Sequence, residues 1–304
     1  MVLDTILFGD CRETLKEFDG KARMCVTSPP YYGLRDYGGE ASQIGQEQTP
    51  EEYIQSLVEV FRSVRDVLAD DGTLWVNIGD SYYNYRPGKG QSYPKQSVSK
   101  TKQDLPEQCN KRGNKLEGLK EKDLIGIPWM LAFALRSDGW YLRQDIIWHK
   151  PNPMPESVRD RCTKSHEYIF LFSKNRKYYY DNEAIKEPVK QDWGTRNRTN
   201  GKYHNEGTGL QPHSGLTKSY TTKNKRSVWT VTNKPYKGAH FAVYPPELIE
   251  PCIKSGSEEG DIVLDPFIGS GTTALVSKKL NRNYIGCELH EEYGKLIQKR
   301  LSDD

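Results

Sequence analysis

The sequence lacks any long apolar run. Its uninterrupted apolar stretches are short, such as Thr5–Phe8 and residues 129–135, whereas a membrane-spanning helix needs about 20 consecutive apolar residues. The first residues include Asp4 and only a brief apolar run, which does not fit a secretory signal. We therefore expect a soluble, cytoplasmic protein with no membrane association.

Cysteine pairs are also absent. The six cysteines are scattered, with no Cys-x-x-Cys pair and no histidine nearby at the spacing of metal ligands. In a chain of 304 residues, this usage is typical of ordinary reduced thiols. The sequence thus predicts neither a disulfide framework nor a metal site.

Positive charge is concentrated in two segments, although the net charge is only +3. Residues 84–122 hold ten Lys or Arg against four Asp or Glu, residues 182–237 hold eleven against four, and the rest of the chain is acidic. Both segments are too poor in apolar residues to form a core. Solvated loops would explain either segment alone, but two of them with aromatic residues nearby favour a surface that binds nucleic acid.

Short apolar segments alternate with segments of helical periodicity along the remaining chain. Predicted strands cover residues 5–8, 23–26, 73–78, 143–149, 168–172, 177–180, 262–265 and 283–288. Predicted helices cover residues 12–18, 50–69, 127–137, 246–255 and 272–280. A turn is predicted at residues 70–72. The alternation predicts an α/β fold with a Rossmann-like, mostly parallel sheet, helices on both faces and an antiparallel edge hairpin through residues 174–176.

A glycine-rich turn follows the predicted strand that ends at Asp265. Gly269 and Gly271 lack a Cβ atom, so the backbone there can turn tightly and approach a ligand closely. The next predicted helix begins at Thr272, and its first amide groups can meet a polar group. Glu288 stands 23 residues after Asp265, where an acid commonly accepts hydrogen bonds from ribose hydroxyls.

The features that this turn lacks restrict the class of ligand that it can bind. The third glycine of a dinucleotide-binding loop is missing, and no Gly-Lys-Ser/Thr forms a phosphate loop. An acid before the turn suits a cationic ligand better than a pyrophosphate. S-adenosylmethionine, which carries a ribose, a sulfonium and an ammonium group, fits these features.

A second turn, Ser28-Pro29-Pro30-Tyr31, follows the predicted strand at residues 23–26. The two prolines fix φ, remove two N–H donors and restrict Ser28 to extended geometry. The result is a stiff turn that offers the Ser28 hydroxyl and the Pro29 carbonyl as acceptors beside the Tyr31 ring. A proline-rich loop that merely ends a strand would have the same sequence.

Together the two turns resemble the motifs of the DNA amino-methyltransferases, which methylate the N4 of cytosine or the N6 of adenine. The tetrad at residues 28–31 resembles their S/D-P-P-Y motif, and residues 265–273 match their cofactor motif over nine positions. The catalytic tetrad precedes a variable basic segment, and the cofactor motif comes last, which resembles the beta arrangement of that family. The likeness extends from residue 9 to residue 288.

This resemblance implies S-adenosyl-L-methionine as the cofactor and a direct methyl transfer to a flipped-out base, without a covalent intermediate. The expected catalytic residues are Ser28, Pro29, Pro30 and Tyr31. Acceptors at Ser28 and Pro29 would position the amine, and Tyr31 would stack on the base. The expected cofactor-binding residues are Asp10, Cys11, Thr27, His240, Phe241, Asp265, Pro266, Phe267, Gly269, Ser270, Gly271, Thr272 and Glu288.

Several alternatives stay open at this point. Within the family, a serine at position 28 accompanies N4-methylation of cytosine more often than N6-methylation of adenine, and we favour cytosine. A DNA-binding relative without catalysis, or an enzyme acting on RNA or protein glutamine, would share parts of the pattern. Asp10 could merely cap a helix. Cys252, after Pro251, resembles the nucleophile of the C5-cytosine enzymes, but we interpret it as a packed thiol.

The organisation that follows is one catalytic domain, residues 1–181 and 238–304, with a mobile basic insertion at 84–123 and a target-recognition region at 182–237. Its partner is expected to be double-stranded DNA, with a cognate restriction endonuclease as a second candidate, and the sequence leaves the oligomeric state open. The expected DNA-binding residues are Arg196, Arg198, Lys223, Lys225 and Arg226.

Overall fold

The protein is described by a computed structural model that covers residues 3–34, 43–83, 116–189, 221–233 and 244–302. Ten strands are found in these ranges: β1 (Thr5–Phe8), β2 (Ala22–Thr27), β3 (Leu68–Ile78), β4 (Tyr141–His149), β5 (His166–Ser173), β6 (Glu187–Pro188), β7 (Thr222–Lys223), β8 (Val228–Thr230), β9 (Ile262–Asp265) and β10 (Asn283–Glu288). Six α-helices accompany them: α1 (Cys11–Thr14), α2 (Pro50–Val67), α3 (Ile127–Ser137), α4 (Pro246–Gly256), α5 (Thr272–Lys279) and α6 (Tyr293–Ser302).

Eight of the strands form one sheet in the order β1-β10-β9-β2-β3-β5-β4-β8. Every neighbouring pair is parallel except the two that β5 makes, with β3 and with β4. The predicted fold class, a mostly parallel Rossmann-like sheet with an antiparallel component, is confirmed. β6 and β7 form a separate antiparallel pair.

Alternate residues of the strands supply two cores, one on each face of the sheet. Leu74, Val76 and Ile78 of β3 join the core that contains the buried side chains of α1, α2 and α3. Trp75 of the same strand joins the other core, with Ile249 of α4. Because side chains alternate across a strand, one sequence of apolar residues covers both faces.

Helix α2 shows how the local sequence determines where an element begins. Thr49 precedes the helix, and its hydroxyl accepts a hydrogen bond from the Glu52 amide at 3.2 Å while the Glu52 carboxylate accepts one from the Thr49 amide at 3.2 Å. Pro50 stands at the first helical position, where no amide donor is needed. The helix therefore begins where the sequence predicts it.

Two local predictions are wrong. Residues 70–72 do not separate a helix from a strand; they lie inside β3, where the register with β2 shifts between Ala22 and Met24 and the extra residues are absorbed as a bulge. Residues 177–180 do not form a strand. Residues 177–180 would have paired with β5 through the predicted hairpin, but both edges of β5 are already occupied, by β3 and by β4.

The two halves of the sheet diverge between β9 and β2. From β9 the chain passes through α5 to β10 on one side, and from β2 it passes through α2 to β3 on the other. Open α/β sheets bind ligands at such a switch point, at the carboxyl ends of the strands. The turn at residues 28–31 follows β2 and the glycine turn follows β9, so neighbouring strands bring both turns to this place although 238 residues separate Thr27 from Asp265.

The predicted target-recognition region contributes to the same sheet. β8 belongs to this region and is an edge strand of the sheet, where it pairs with β4. Trp229 of β8 is buried. Residues 84–115, 190–220 and 234–243, which include most of the predicted basic insertion and recognition region, lie outside the described residues. No helix in the described ranges is both long and apolar enough to cross a membrane.

Candidate active site

A cleft opens at the switch point between β9 and β2. Its empty space is about 1150 Å³, a figure that includes the solvent in its open mouth. Residues of the turn after β2 and of the turn after β9 line it together. The two turns that the sequence singled out therefore face one cavity.

The predicted site residues divide into groups by their position at this cleft. All four expected catalytic residues line it. The expected cofactor-binding residues that line it are Asp10, Cys11, Pro266, Phe267, Gly269, Ser270, Thr272 and Glu288. Three others lie behind the lining: Thr27, Asp265 and Gly271. His240 and Phe241 lie outside the described residues.

Asp265 is buried below the glycine turn and has four hydrogen-bonding partners. Its Oδ1 accepts from the Thr27 hydroxyl at 2.6 Å and the Phe267 amide at 3.0 Å, and its Oδ2 accepts from the Thr273 hydroxyl at 2.5 Å and the Tyr244 hydroxyl at 3.1 Å. Burial raises the pKa of Asp265, and these hydrogen bonds oppose the rise. Asp265 thus organises the turn from beneath.

The glycine turn is also held from above by α6. Gly271 has φ +80°, and a Cβ there would lie 2.9 Å from a side-chain carbon of Ile297. Arg300 donates to the Ser270 hydroxyl at 2.8 Å and to the Thr272 hydroxyl at 2.9 Å. Only glycine permits both this left-handed conformation and this close contact at position 271.

Glu288 ends β10 with its carboxylate at the cleft. Oε2 accepts from the Gly269 amide at 3.0 Å and Oε1 from the His290 amide at 3.1 Å, and each oxygen keeps a further lone pair. Burial raises the pKa of Glu288, against the effect of these two amides. His290 also lines the cleft, and its buried Nε2 has no hydrogen-bond partner in the described chain.

Asp10 follows β1 and lines the cleft. It also has a structural role. Its carboxylate accepts from the Arg12 amide at 2.9 Å, which caps α1, and forms an ion pair with the Arg12 guanidinium at 2.6 Å. Burial would raise the pKa of Asp10, but the hydrogen bonds and charge of Arg12 lower it overall. The cleft thus has an ionised acid at this end.

The turn after β2 is anchored by distant elements. The Tyr53 hydroxyl on α2 donates to the Pro30 carbonyl at 2.7 Å. The Tyr31 hydroxyl donates to Glu167 Oε2 on β5 at 2.7 Å. Burial, followed by the charge of Glu167, raises the pKa of Tyr31 well above its ordinary value. Ser28, which is half-buried, and Pro29, which is buried, both line the cleft.

The predicted DNA-binding residues Lys223, Lys225 and Arg226 lie before β8, at the amino end of a strand that runs in the same direction as β3. The cleft is at the carboxyl ends. Lys225 is only 22% exposed, with its ammonium 5.1 Å from the centre of the Trp229 ring and 3.9 Å from Glu187. Arg226 also pairs with Glu187 but is 70% exposed. Arg196 and Arg198 lie outside the described residues.

Several residues around the site were missed by the sequence prediction. Of these residues, only Tyr244 could have been found from the sequence, because it belongs to the segment at residues 240–245, which comes shortly before the predicted strand that ends at Asp265. The others become neighbours of the site through folding alone: Ile44, Tyr53, Lys150, Glu167, His290, Tyr293 and Arg300. Cys252, in contrast, is buried in the core beside Leu248 and Ile249, as expected of a packed thiol.

The family described as DNA methylase matches residues 22–299 of the chain. The chain belongs to this family. The methylase is 48% identical over 297 residues to the Type II methyltransferase M.SmaI of Serratia marcescens, covering 97% of this chain and 90% of that protein. It is 47% identical to the Type II methyltransferase M.XycI of Xanthomonas campestris pv. cyanopsidis, covering 98% and 87%.

Solved structures share the fold of the methylase. The PvuII DNA methyltransferase, described as cytosine-N4-specific, superposes with a TM-score of 0.62 at 18% identity, covering 100% of this chain and 91% of that one. A putative DNA modification methylase of Thermus thermophilus, complexed with S-adenosyl-L-methionine, gives 0.59 at 22% identity, covering 98% and 93%. The methylase is an S-adenosylmethionine-dependent DNA methyltransferase of the N4/N6 type.

The cleft residues fit this cofactor. Two acids, Asp10 and Glu288, face a ligand that carries positive charge, and Phe267 and Ile44 offer apolar surface. The buried Nε2 of His290 needs a partner that the described chain does not supply. A polar, cationic ligand with an aromatic part satisfies all three kinds of group.

Proposed function

We propose that this methylase transfers a methyl group from S-adenosyl-L-methionine to the exocyclic N4 of a cytosine flipped out of double-stranded DNA. The observation that carries the proposal is the shared cleft, which the tetrad at residues 28–31 and the glycine turn line together. A methyl acceptor on one rim and a methyl donor on the other would stand within reach of each other.

When bound, the cofactor would supply an electrophilic methyl group: its bond to sulfur would break as the bond to nitrogen forms, S-adenosylhomocysteine would leave, and the amine would release one proton. The chain supplies positioning, because the amine lone pair of a nucleobase is delocalised into the ring and is a weak nucleophile. Acceptors at the Ser28 hydroxyl and the Pro29 carbonyl would bind the two amine hydrogens and direct the lone pair outward. Preorganised acceptors of this kind lower the barrier without a covalent enzyme intermediate.

Tyr31 would bind the flipped base by stacking. Flipping costs a few kcal/mol, and an aromatic face returns part of that cost. The hydroxyl of Tyr31 already donates a hydrogen bond to Glu167. This side chain is therefore ordered before DNA binds, and ordering it does not weaken DNA binding. Pro29 and Pro30 stiffen the backbone on which the ring is mounted.

On the cofactor rim, Glu288 would accept hydrogen bonds from the ribose hydroxyls with the lone pairs that its two amide partners leave. Asp10 and Cys11 would contact the adenine side. The turn at Pro266, Phe267, Gly269, Ser270 and Thr272 would cradle the methionine part, while Thr27 and Asp265 support that turn from below and Gly271 lets α6 pack against it. We place His240 and Phe241 over the methionine end.

The base preference rests on Ser28. A serine at this position is more frequent among the N4-cytosine enzymes of the family, so we propose cytosine, with adenine N6 as the alternative. A relative that binds DNA without catalysis is disfavoured because Ser28, Asp265 and Glu288 are all present and in place around one cleft.

The experiment is methyl transfer from labelled cofactor to DNA of mixed sequence, followed by digestion and mass spectrometry of the nucleosides. N4-methylcytosine is expected. N6-methyladenine would support the alternative base, and bound cofactor without transfer would support an inactive relative. Sequencing of DNA from cells expressing the protein would give the recognised site.

DNA recognition is proposed to involve residues 182–237, with the basic insertion at 84–123 closing over the duplex. Neutralising Lys223, Lys225 and Arg226 one at a time should flatten the salt dependence of DNA binding by about one unit for each lost phosphate contact. A residue whose removal leaves the slope unchanged is outside the interface. Arg226 should show a clearer effect than Lys225, because its side chain is the more exposed of the two.

A restriction endonuclease with the same recognition site is the proposed functional partner, because M.SmaI and M.XycI are named as Type II methyltransferases. Plasmid DNA from cells expressing the methylase should resist an endonuclease whose site contains the methylated base. The same DNA from cells without the methylase should be cut.

A further inference from the structure

A polar cluster lies behind the catalytic turn and contacts its tyrosine. Glu167 of β5 is its centre. One carboxylate oxygen accepts from the Tyr31 hydroxyl at 2.7 Å and from the Asn77 side-chain amide at 3.3 Å, and the other pairs with the Lys150 ammonium. The side chains of Lys150 and Glu167 are only 15% and 16% exposed.

Lys150 is itself held in place. Its ammonium lies 4.1 Å from the centre of the Trp148 ring, and Trp148 is buried. Its backbone amide donates to the Ser165 carbonyl at 2.8 Å, and Trp148 pairs directly with Glu167 across β4 and β5. The ion pair is therefore built on a rigid antiparallel ladder rather than on a loop.

The Tyr31 ring is confined at a second point by Gly79, which follows β3. A Cβ on Gly79 would lie 2.7 Å from Cε2 of the Tyr31 ring, a distance that real Cβ atoms do not reach. The ring thus rests against bare backbone along one edge, and its hydroxyl is bonded to Glu167. Two fixed points determine how the ring is tilted at the cleft.

A buried ion pair is a costly way to fill space, because both charges lose their hydration. Apolar side chains on β4 and β5 would pack at least as well beneath the turn. An ionised carboxylate, however, holds a neutral tyrosine hydroxyl more firmly than a neutral acceptor does. The burial and charge that keep Tyr31 protonated also keep it a donor to this carboxylate.

We propose that Glu167, held by Lys150, is a positioning residue that fixes the tilt of the Tyr31 ring for stacking on the target base. This inference rests on the proposed function, in which Tyr31 receives that base. Glu167 touches neither base nor cofactor in this role. It acts through Tyr31 alone.

The test is a double-mutant cycle between Tyr31→Phe, which keeps the ring and removes the hydroxyl, and Glu167→Gln, which removes the charge. Each single variant should lower kcat about tenfold, since a small misplacement of reacting groups has effects of this size or larger. The kcat of the double variant should lie within about twofold of the kcat of the slower single variant. The cofactor Kd should be the same in all variants. A double variant slowed about 100-fold, the product of the singles, would overturn the proposal.

The second readout is the fluorescence of a cytosine analogue placed at the target position of the DNA, which stacking quenches both in the duplex and against the Tyr31 ring. Tyr31→Phe and Glu167→Gln should shift this signal alike, and Glu167→Asp should shift it less. A full wild-type signal in Glu167→Gln would show that the carboxylate has only a structural role.

Asp261→Asn is the matched control. It breaks a partly buried ion pair with Arg23 at the amino ends of β2 and β9, at the opposite end of these strands from the cleft, so it should lower the midpoint of urea unfolding without changing kcat or the fluorescence signal. If the wild type transfers no methyl group to DNA, the proposed function fails. The same cycle measured by urea unfolding then decides the inference, and additive effects on stability would overturn the contact itself.

Discussion

The two rims of the cleft are held in different ways. On the cofactor rim, Asp265 collects hydrogen bonds from Phe267 and Thr273, two and eight residues away, as well as from more distant partners. On the catalytic rim, Tyr31 is held by Glu167, 136 residues further along the chain. The cofactor rim is therefore organised partly within its own motif, and the catalytic rim is organised by the sheet behind it.

This difference suggests a division of work. The glycine turn carries its own buried carboxylate and is held in part by hydrogen bonds within the motif, to which Thr27 of β2 and Arg300 of α6 add. The catalytic turn is anchored by side chains of α2, β3 and β5. Changes on the catalytic rim should therefore affect the rate of reaction, and changes on the cofactor rim should affect stability and cofactor affinity.

The largest expected effect is on the catalytic rim. Ser28→Ala removes the proposed acceptor for the amine and should lower kcat about 100-fold, or about 2.7 kcal/mol. Cofactor Kd, measured by calorimetry, should change less than about twofold, because Ser28 lies across the cleft from the glycine turn. Loss of cofactor binding would remove the distinction between the rims.

On the cofactor rim, Asp265→Ala leaves three buried hydroxyl groups and one amide without their acceptor and should lower the free energy of unfolding by about 2 kcal/mol. Cofactor affinity should fall with it. Asp265→Asn keeps one acceptor oxygen and should lose less of both in urea denaturation and calorimetry. If affinity fell while stability was retained in both variants, Asp265 would contact the cofactor itself rather than support the turn.

The same contrast explains which parts of the site could be predicted from sequence. The glycine turn, Asp265 and Glu288 form a pattern within 24 residues, and strand–turn–helix periodicity placed them at a sheet edge. The sheet class followed from the alternation of elements. Glu167 and Lys150 stand in segments whose local sequence carries no sign of Tyr31, and only the pairing of β5 with both β3 and β4 brings them there.

The strand predicted at residues 177–180, which does not form, shows another limit of prediction from sequence. Its aromatic residues have high strand propensity, but propensity cannot reveal that both edges of β5, its predicted hairpin partner, are occupied by β3 and β4. Tyr180 instead stacks on Trp75 with ring centres 6.4 Å apart, and Arg143 lies over Tyr178. The side chains pack on the sheet without joining it.

A smaller effect is expected from Arg300, which ties α6 to the glycine turn. Arg300→Met keeps an apolar stem and removes the donors to Ser270 and Thr272, so cofactor Kd should rise about fivefold, or about 1 kcal/mol, with kcat at saturating cofactor unchanged. Lys299→Ala, one residue earlier on the same helix and exposed, is the control and should leave Kd unchanged. A fall in kcat at saturation would mean that the two rims are coupled through α6.

The smallest effect concerns the two acids of the cleft. Burial raises the pKa of Glu288 above its ordinary value of 4.5, whereas Arg12 lowers the pKa of Asp10 below 3.8. Glu288 therefore takes up a proton at a higher pH than an ordinary carboxyl group does, over a range in which Asp10 stays ionised. A protonated Glu288 accepts ribose hydroxyls less well, so cofactor affinity should decline as the pH is lowered through this range.

Glu288→Gln should bind the cofactor more weakly at pH 7.5 and show no such decline, because it has no titrating group at this position. Asp10→Asn should keep the decline, since its own carboxylate does not titrate in the range. Calorimetry at several pH values measures both. A decline that survived in Glu288→Gln would have to arise elsewhere in the cleft, and the ribose-binding role of Glu288 would then lack its expected signature.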